Sequence, residues 1–177
     1  RRELSHIVSC GPVRTVLCGP AGPHDSMRSR SAPFFAFATA LFGALTALYL
    51  RMTPARFLGA IPPDAGDPLF NLAILRWGAD QLRGAAGDLW SPTFFFPIRD
   101  ALALSDHLLG PAAFVALLDS LGLPPAATYN TLLLAAFALS GASAALVFRW
   151  SGLSNVAALF GALAWTFCAF RWTALSH

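Results

Sequence analysis

Long apolar runs alternate with polar, Gly- and Pro-punctuated segments along this chain of 177 residues. Three of the runs, at residues 33–50, 126–148 and 153–170, contain no charged residue. At a helical rise of 1.5 Å per residue they extend about 27, 34 and 27 Å, close to the roughly 30 Å hydrocarbon core of a bilayer. The pattern therefore predicts three transmembrane helices, with residues 51–125 forming a long external loop between the first two.

A fourth apolar segment, at residues 107–122, is shorter and carries Pro111 and Asp119. It covers only about 24 Å as a helix, which is short for a span. A carboxylate at the bilayer centre also costs about 2.5 to 3.5 kcal/mol on insertion scales. The segment therefore predicts a helix lying in the membrane interface, with Asp119 facing the headgroups.

The stretch "GDPLFNLAILRWGADQL" at residues 66–82 predicts a second interfacial helix. Asp67 precedes Pro68, and this pair is typical of a helix start in which the aspartate caps the first-turn amides. Helical spacing then separates an apolar face from a narrow polar stripe. The apolar face consists of Phe70, Ile74 and Trp77, and the stripe consists of Arg76, Asp80 and Arg83.

The expected fold class is an all-α integral membrane protein with three transmembrane helices and two interfacial helices in the first external loop. Arginine counts on the two sides of the membrane are nearly balanced, so the location of the polar side chains decides the topology. Three spans place at one outer surface the polar residues Asp67, Asp106, His107, Tyr129, Asn130, Arg171 and His177. A surface that collects so many polar groups is typical of a functional site.

Composition agrees with a membrane protein, because 56% of the residues are hydrophobic, only 12% are charged and the mean hydropathy is +0.59. The net charge of +3 is small and dispersed, and it indicates no nucleic-acid partner. Three cysteines at unrelated spacings do not predict a disulfide framework. Residues 1–26 lack apolar periodicity and are expected to be unstructured or an upstream extension before Met27, so the membrane domain comprises residues 27–177.

Several polar residues have both a structural and a functional interpretation. Asp67 is either a helix cap or a functional carboxylate. In "SDHLLGP", Ser105 or Asp106 could cap the following helix, or Asp106 and His107 could bind a metal or move a proton. Arg171 at the edge of the last run is typical of an interface anchor, as is the aromatic cluster "FFFP" at residues 94–97.

The chain also resembles a known family in an ordered set of segments: "GDPLFNLAILRW", "FFFP", "ALSDHLLG", "YNTLLLAAFALSG" and "FRWTALSH". Over residues 33–177 these look like the N-terminal third of bacterial multi-span membrane proteins of the GT-C glycosyltransferase type. The likeness is to large members related to the lipopolysaccharide-core galacturonosyltransferase and YfhO-like groups. Better-studied members carry an acidic pair where this chain has Asp-Pro.

The resemblance implies a fragment of a multi-pass enzyme of the bacterial cytoplasmic membrane, inactive alone. The full-length enzyme would transfer a sugar, with inversion, from a polyprenyl-phosphate donor to a lipid or glycan acceptor at the outer face. It implies Asp67 as catalytic base and Arg171 and His177 on the phosphate side. Asp106 and His107 would orient the acceptor or hold a divalent metal ion, the one cofactor left open.

The alternative is a non-enzymatic membrane protein, such as a transporter or assembly factor, that shares the scaffold. A transporter is expected to place polar groups at mid-bilayer on broken helices. The centres of the three apolar runs contain no ionisable residue, which counts against a transporter.

Overall fold

The computed structural model describes residues 31–61, 67–85 and 87–173, and residues 172 and 173 are described by their backbone alone. Helices are the only regular secondary structure in this part of the chain, as predicted. Residues 1–26, Met27 and His177, for which the sequence made predictions, lie outside it. The α-helices are α1 (Ser31–Tyr49), α2 (Pro54–Gly59), α3 (Asp67–Leu82), α4 (Leu109–Ser120), α5 (Pro125–Trp150), α6 (Asn155–Thr166) and α7 (Ala169–Thr173).

Helices α1, α5 and α6 form one packed unit around small side chains. The buried residues of its core are Ala38, Phe42, Ala142, Ala145 and Ala162. At Gly141 a Cβ atom would overlap the ring of Phe42, so the backbone of α5 approaches α1 as closely as a side chain permits. Small residues near the middle of α5 therefore lie at a helix contact.

Two helices, α1 and α5, are long and apolar enough to cross a bilayer. Their bounds agree with the predicted runs at 33–50 and 126–148. The prediction of a third span at 153–170 is corrected, because that run is divided between α6 and α7. With 12 residues, α6 reaches only about 18 Å, well short of a bilayer core.

The third run is divided by a local cap at the start of α6 and by tertiary contacts at its end. The helix begins after Ser154, whose hydroxyl accepts a hydrogen bond from the Ala157 amide. It ends at Thr166, and Phe167 leaves the helical conformation with φ −111° and ψ 30°. The Phe167 ring packs near the rings of Phe42, Tyr49 and Phe137, with centroid distances of 6.4, 6.4 and 6.1 Å. The Phe167 side chain therefore packs against other aromatic rings directly after the last residue of α6.

Helices α3 and α4 pack as a pair, joined where two small residues meet. A Cβ on Gly78 would lie 2.9 Å from the Cβ of Ala112, so the two backbones are close at this crossing. Around it, Leu75, Ala79 and Val115 are buried. The 12-residue α4 confirms a short helix within residues 107–122.

Asp119 corrects the prediction of a headgroup-facing carboxylate. Its side chain is only 11% exposed and lies 3.7 Å from Nη1 of Arg76 and 3.5 Å from Nη2 of Arg83. It also accepts a hydrogen bond from the Thr128 hydroxyl at the start of α5, at 3.3 Å. Arg76 and Arg83 of the predicted polar stripe therefore face α4. Their two guanidinium groups neutralise the Asp119 carboxylate, whose burial would otherwise be unfavourable.

The apolar face of α3 packs against the loop that connects α3 to α4. The Phe70 ring meets Phe95 edge-on at 5.5 Å, and Trp77 meets Phe94 at 6.4 Å. The indole N–H of Trp77 donates to the carbonyl of Leu89 at 3.0 Å. Phe94 and Phe95 of the "FFFP" cluster thus cover α3, whereas the Phe96 ring faces outward.

Candidate functional site

A groove of about 590 Å³ opens between α3, α4 and α5. Its walls are mostly apolar, and three polar residues contribute to them. The lining residues are Asn71, Leu75, Asp106, Leu108, Gly110, Pro111, Phe114, Tyr129, Leu132, Leu133, Ala135, Ala136 and Leu139. Along α5 the lining runs from Tyr129 to Leu139, ten residues or about 15 Å, and every lining residue of α5 after Tyr129 is apolar.

The groove has this shape because α3 and α5 both pack on α4. Tyr129 and Leu132 of α5 contact the buried cluster that contains Leu75 and Ala112. The ion pairs of Asp119 hold α4 between α3 and the first turn of α5. A change in either contact would alter the width of the groove.

Asp106 is the carboxylate that the structure places in the groove wall. It lies in the segment between the second of two short 3-10 helices (Ala101–Leu104) and α4, and it is exposed. No hydrogen bond or ion pair engages it within the described ranges. Its carboxylate therefore remains available to a bound molecule.

The prediction that Ser105 or Asp106 caps α4 is wrong. The residue before the helix is Leu108, in the left-handed region with φ 47°, and it provides no side-chain cap. Instead, Nδ1 of His107 accepts a hydrogen bond from the Leu109 amide at 3.3 Å. This bond assigns the ring proton to Nε2, and the ring also lies edge-on to Trp90 at 6.0 Å.

Asp67 lies in the first turn of α3, since the helix begins at this residue rather than after it. A carboxylate in a first turn interacts favourably with the positive end of the helix dipole. Asn71 follows four residues later and Leu75 eight residues later, so all three lie on one side of α3. Asn71 and Leu75 line the groove, whereas Asp67 is exposed one turn before Asn71 and is not among the lining residues.

Arg171 is not brought to this groove by any contact among the described residues. Its guanidinium carbon lies 5.6 Å from the ring centroid of Trp165 on α6. The groove, by contrast, is formed by α3, α4 and α5, and none of its lining residues carries a positive charge. The predicted association of Arg171 with Asp106 and His107 therefore has no support from this geometry.

The groove also does not fit a resident metal ion. Within residues 31–61, 67–85 and 87–173, no three His, Cys, Asp or Glu side chains are grouped as metal ligands. Asp106 and its neighbour His107 are a single pair, and Nδ1 of His107 is already engaged with Leu109.

Sequence reasoning did not single out Asn71, although a signal for it exists. Asn71 lies four residues after Asp67 within the same motif, and this spacing places two polar side chains on one helix face. Tyr129 was recognised only as a polar residue of the outer surface. Its place in the groove depends on how α5 packs against α4, which spacing along the chain does not reveal.

Asn130, the neighbour of Tyr129, has a different role. Its side chain is 1% exposed, and Nδ2 donates to the carbonyls of Phe57 and Ala60 at 2.9 and 2.8 Å. These two carbonyls belong to the end of α2, so Asn130 fastens α2 to α5. Of the adjacent polar residues, Tyr129 thus lines the groove and Asn130 makes a structural contact.

Comparison with known proteins adds no family to this description: no protein-family model, no curated protein and no solved structure matches the chain.

Proposed function

We propose that the chain is a multi-pass protein of a bacterial cytoplasmic membrane, with α1 and α5 as its spans. Only 22% of α1 and 28% of α5 is buried within the molecule over their most apolar windows. A core helix of a soluble protein would be mostly buried, whereas a lipid-facing helix exposes its apolar side chains to acyl chains. The segment between these helices, with α2, α3 and α4, then lies at one membrane surface.

We further propose that the groove holds the lipid of a polyprenyl-phosphate-linked sugar, and that the protein belongs to a glycosyltransferase. The observation that carries this proposal is an apolar groove with a free carboxylate in its wall. The apolar lining along α5, from Leu132 to Leu139, extends roughly 10 Å and suits a few isoprene units of a lipid that remains in the bilayer. Asn71, Asp106 and Tyr129 supply the polar groups that a sugar head requires.

The chemistry proposed for this site is displacement at the anomeric carbon. The acceptor oxygen forms a bond to that carbon, the bond to the lipid phosphate breaks, and a carboxylate takes the proton of the acceptor hydroxyl. Asp67 is the proposed base, since it precedes the groove residue Asn71 by one turn of α3 and the family resemblance implies this role for it. Asp106 is proposed to bind the sugar hydroxyls, because it lines the groove directly.

A second candidate function is lipid binding without chemistry, as in an assembly factor. It is favoured by the absence of a cation among the lining residues, since a departing phosphate is normally stabilised by positive charge. Both candidates require the groove to hold an isoprenoid chain, and only the enzyme requires Asp67 as a base.

Lipid binding is tested by photocrosslinking the chain, in membranes, with a diazirine-bearing polyprenyl phosphate. Ala136→Trp is expected to fill the groove and to lower crosslinking about tenfold, which corresponds to ~1.4 kcal/mol of lost binding. The matched control is Val147→Trp, at a 54% exposed position of the same helix outside the groove. Equal crosslinking of both variants would reject the groove as the lipid site.

The base is tested in the full-length protein by sugar transfer from a polyprenyl-phosphate donor. Asp67→Asn keeps the size of the side chain but cannot accept the proton, so transfer is expected to be abolished with insertion unchanged. Asp67→Ser is expected to be no better. An active Asn variant would show that Asp67 is not the base, and Asp106→Asn would then be the variant to measure.

A further inference from the structure

We infer that the loop between α3 and α4 lies against the bilayer, with Phe96, Ile98 and Leu104 inserted into the lipid headgroup region. These three side chains are 86%, 62% and 89% exposed. Single exposed apolar residues are ordinary on proteins, but three large ones on one loop are not. The inference rests on α5 being a membrane span and is independent of the proposed glycosyltransferase activity.

The loop has a defined shape. Leu102 is 1% exposed, and its amide donates to the Trp90 carbonyl at 3.1 Å, which ties the two sides of the loop together. The Asp100 amide donates to the Ser91 hydroxyl at 3.0 Å, and that hydroxyl donates to Asp88 at 2.9 Å. The apolar side chains are therefore presented by an internally braced structure.

The backbone of the loop can approach lipid at little cost. The amides of Phe95, Phe96 and Ile98 donate to the carbonyls of Pro92, Thr93 and Phe95, respectively. Residue 97 is proline and has no N–H to satisfy. Unsatisfied backbone groups are what exclude irregular segments from lipid, and these donors are already paired.

The loop is also held near the point where α5 would enter the membrane. Its two flanking helices are joined to the first turn of α5 through Asp119, which contacts both Arg83 and Thr128. A span of 26 residues has its first turn at the bilayer surface. The end of α3 from which the loop starts therefore lies near the headgroups.

Charge at the loop limits how deeply it inserts. Arg99 and Asp100 are both exposed and follow Ile98 directly. A guanidinium at this position can pair with lipid phosphates, whereas Asp100 keeps the segment out of the hydrocarbon. The expected arrangement is shallow, with aromatic and aliphatic side chains at the headgroup level.

The experiment uses the chain of 177 residues with Cys10, Cys18 and Cys168 replaced by Ser, reconstituted in phosphatidylcholine–phosphatidylglycerol vesicles. A fluorophore sensitive to polarity is attached to Phe96→Cys and, separately, to Leu104→Cys. The matched control is Ala85→Cys, an exposed position directly after α3. Each label is quenched by lipids that carry a doxyl group near the headgroup, and separately by aqueous iodide.

Labels at residues 96 and 104 are expected to lose fluorescence to the doxyl lipids and to be protected from iodide, with the reverse at residue 85. Because both residues are highly exposed, substitution does not disturb the core, and unchanged far-UV circular dichroism verifies the helices. Iodide quenching at 96 and 104 equal to that at 85 would overturn the inference. Protection from both quenchers would indicate a protein contact and would overturn it as well.

Discussion

Arg83, the residue directly after α3, and Asp119 on α4 form an ion pair at 3.5 Å that joins two helices distant in the sequence. The same guanidinium donates a 2.7 Å hydrogen bond to the carbonyl of Ala116, so it engages both a side chain and the backbone of α4. Because α3 and α4 form two walls of the groove, this contact helps to hold those walls together.

Removal of the shared carboxylate by Asp119→Asn is expected to destabilise the fold. Arg76 and Arg83 would lose their common partner. The Asp119 side chain is 11% exposed, and the side chains of the two arginines are 41% and 38% exposed. Partial burial puts the expected loss at about 1 to 2 kcal/mol, between a surface pair and a buried one. Unfolding by sodium dodecyl sulfate, monitored by circular dichroism in mixed micelles, measures it.

The control for this prediction is Asp80→Asn. Asp80 pairs with the same Arg83 at 3.2 Å, but its side chain is 55% exposed. Its loss is expected to cost no more than ~0.5 kcal/mol. Equal effects of the two substitutions would contradict a special role for the Asp119 contact.

Asn130→Ala is expected to release α2 from α5. The carbonyls of Phe57 and Ala60 would lose their donors, at a cost of about 1 to 3 kcal/mol. Trypsin cleavage after Arg56, within α2, should then become faster in the folded protein. Thr131→Val is the control, since the Thr131 hydroxyl donates to the Ala127 carbonyl of its own helix. An unchanged cleavage rate in the Asn130 variant would count against this prediction.

Two glycines at the contact of α1 with α5 are expected to respond differently to alanine. Gly141→Ala places a methyl group in the ring of Phe42 and is expected to cost about 1 to 3 kcal/mol by overpacking. Gly43→Ala places one 3.7 Å from the Cβ of Ala138, an ordinary contact, and is expected to be neutral or to stabilise by up to ~1 kcal/mol. The same detergent unfolding assay compares them, and a neutral Gly141 variant would reject the close approach.

Opposite ends of α5 are expected to lie on opposite sides of the membrane. In a background without native cysteines, Ala85→Cys should react with an impermeant maleimide in intact cells, whereas Leu153→Cys should react only after the membrane is opened. Both positions are exposed, and neither requires the positive φ of the neighbouring glycines at 87 and 152. Labelling of both, or of residue 153 alone, would exclude α5 as a single span in this orientation.

Hydrophobic pattern alone was sufficient to predict α1, α3 and α5. An uninterrupted apolar run favours helix both in lipid and in a protein core, so the bounds of α1 and α5 do not depend on what surrounds them. The start of α3 is equally local, because Pro68 presets the helical angle and its missing N–H would be unsatisfied in any case. The short α4 followed from the length of its apolar segment.

The sequence by itself therefore determined that the chain is helical and where its longest helices run, whereas tertiary packing decided what the polar residues do. The partner of Asp119 is on another helix, and one carboxylate can equally face headgroups or a guanidinium until that helix is placed. The end of α6 likewise depends on the rings of Phe42, Tyr49 and Phe137, which no pattern within residues 153–170 reveals. Asp106 and Tyr129 became groove residues for the same reason: a cavity exists only between elements, and local periodicity describes one element at a time.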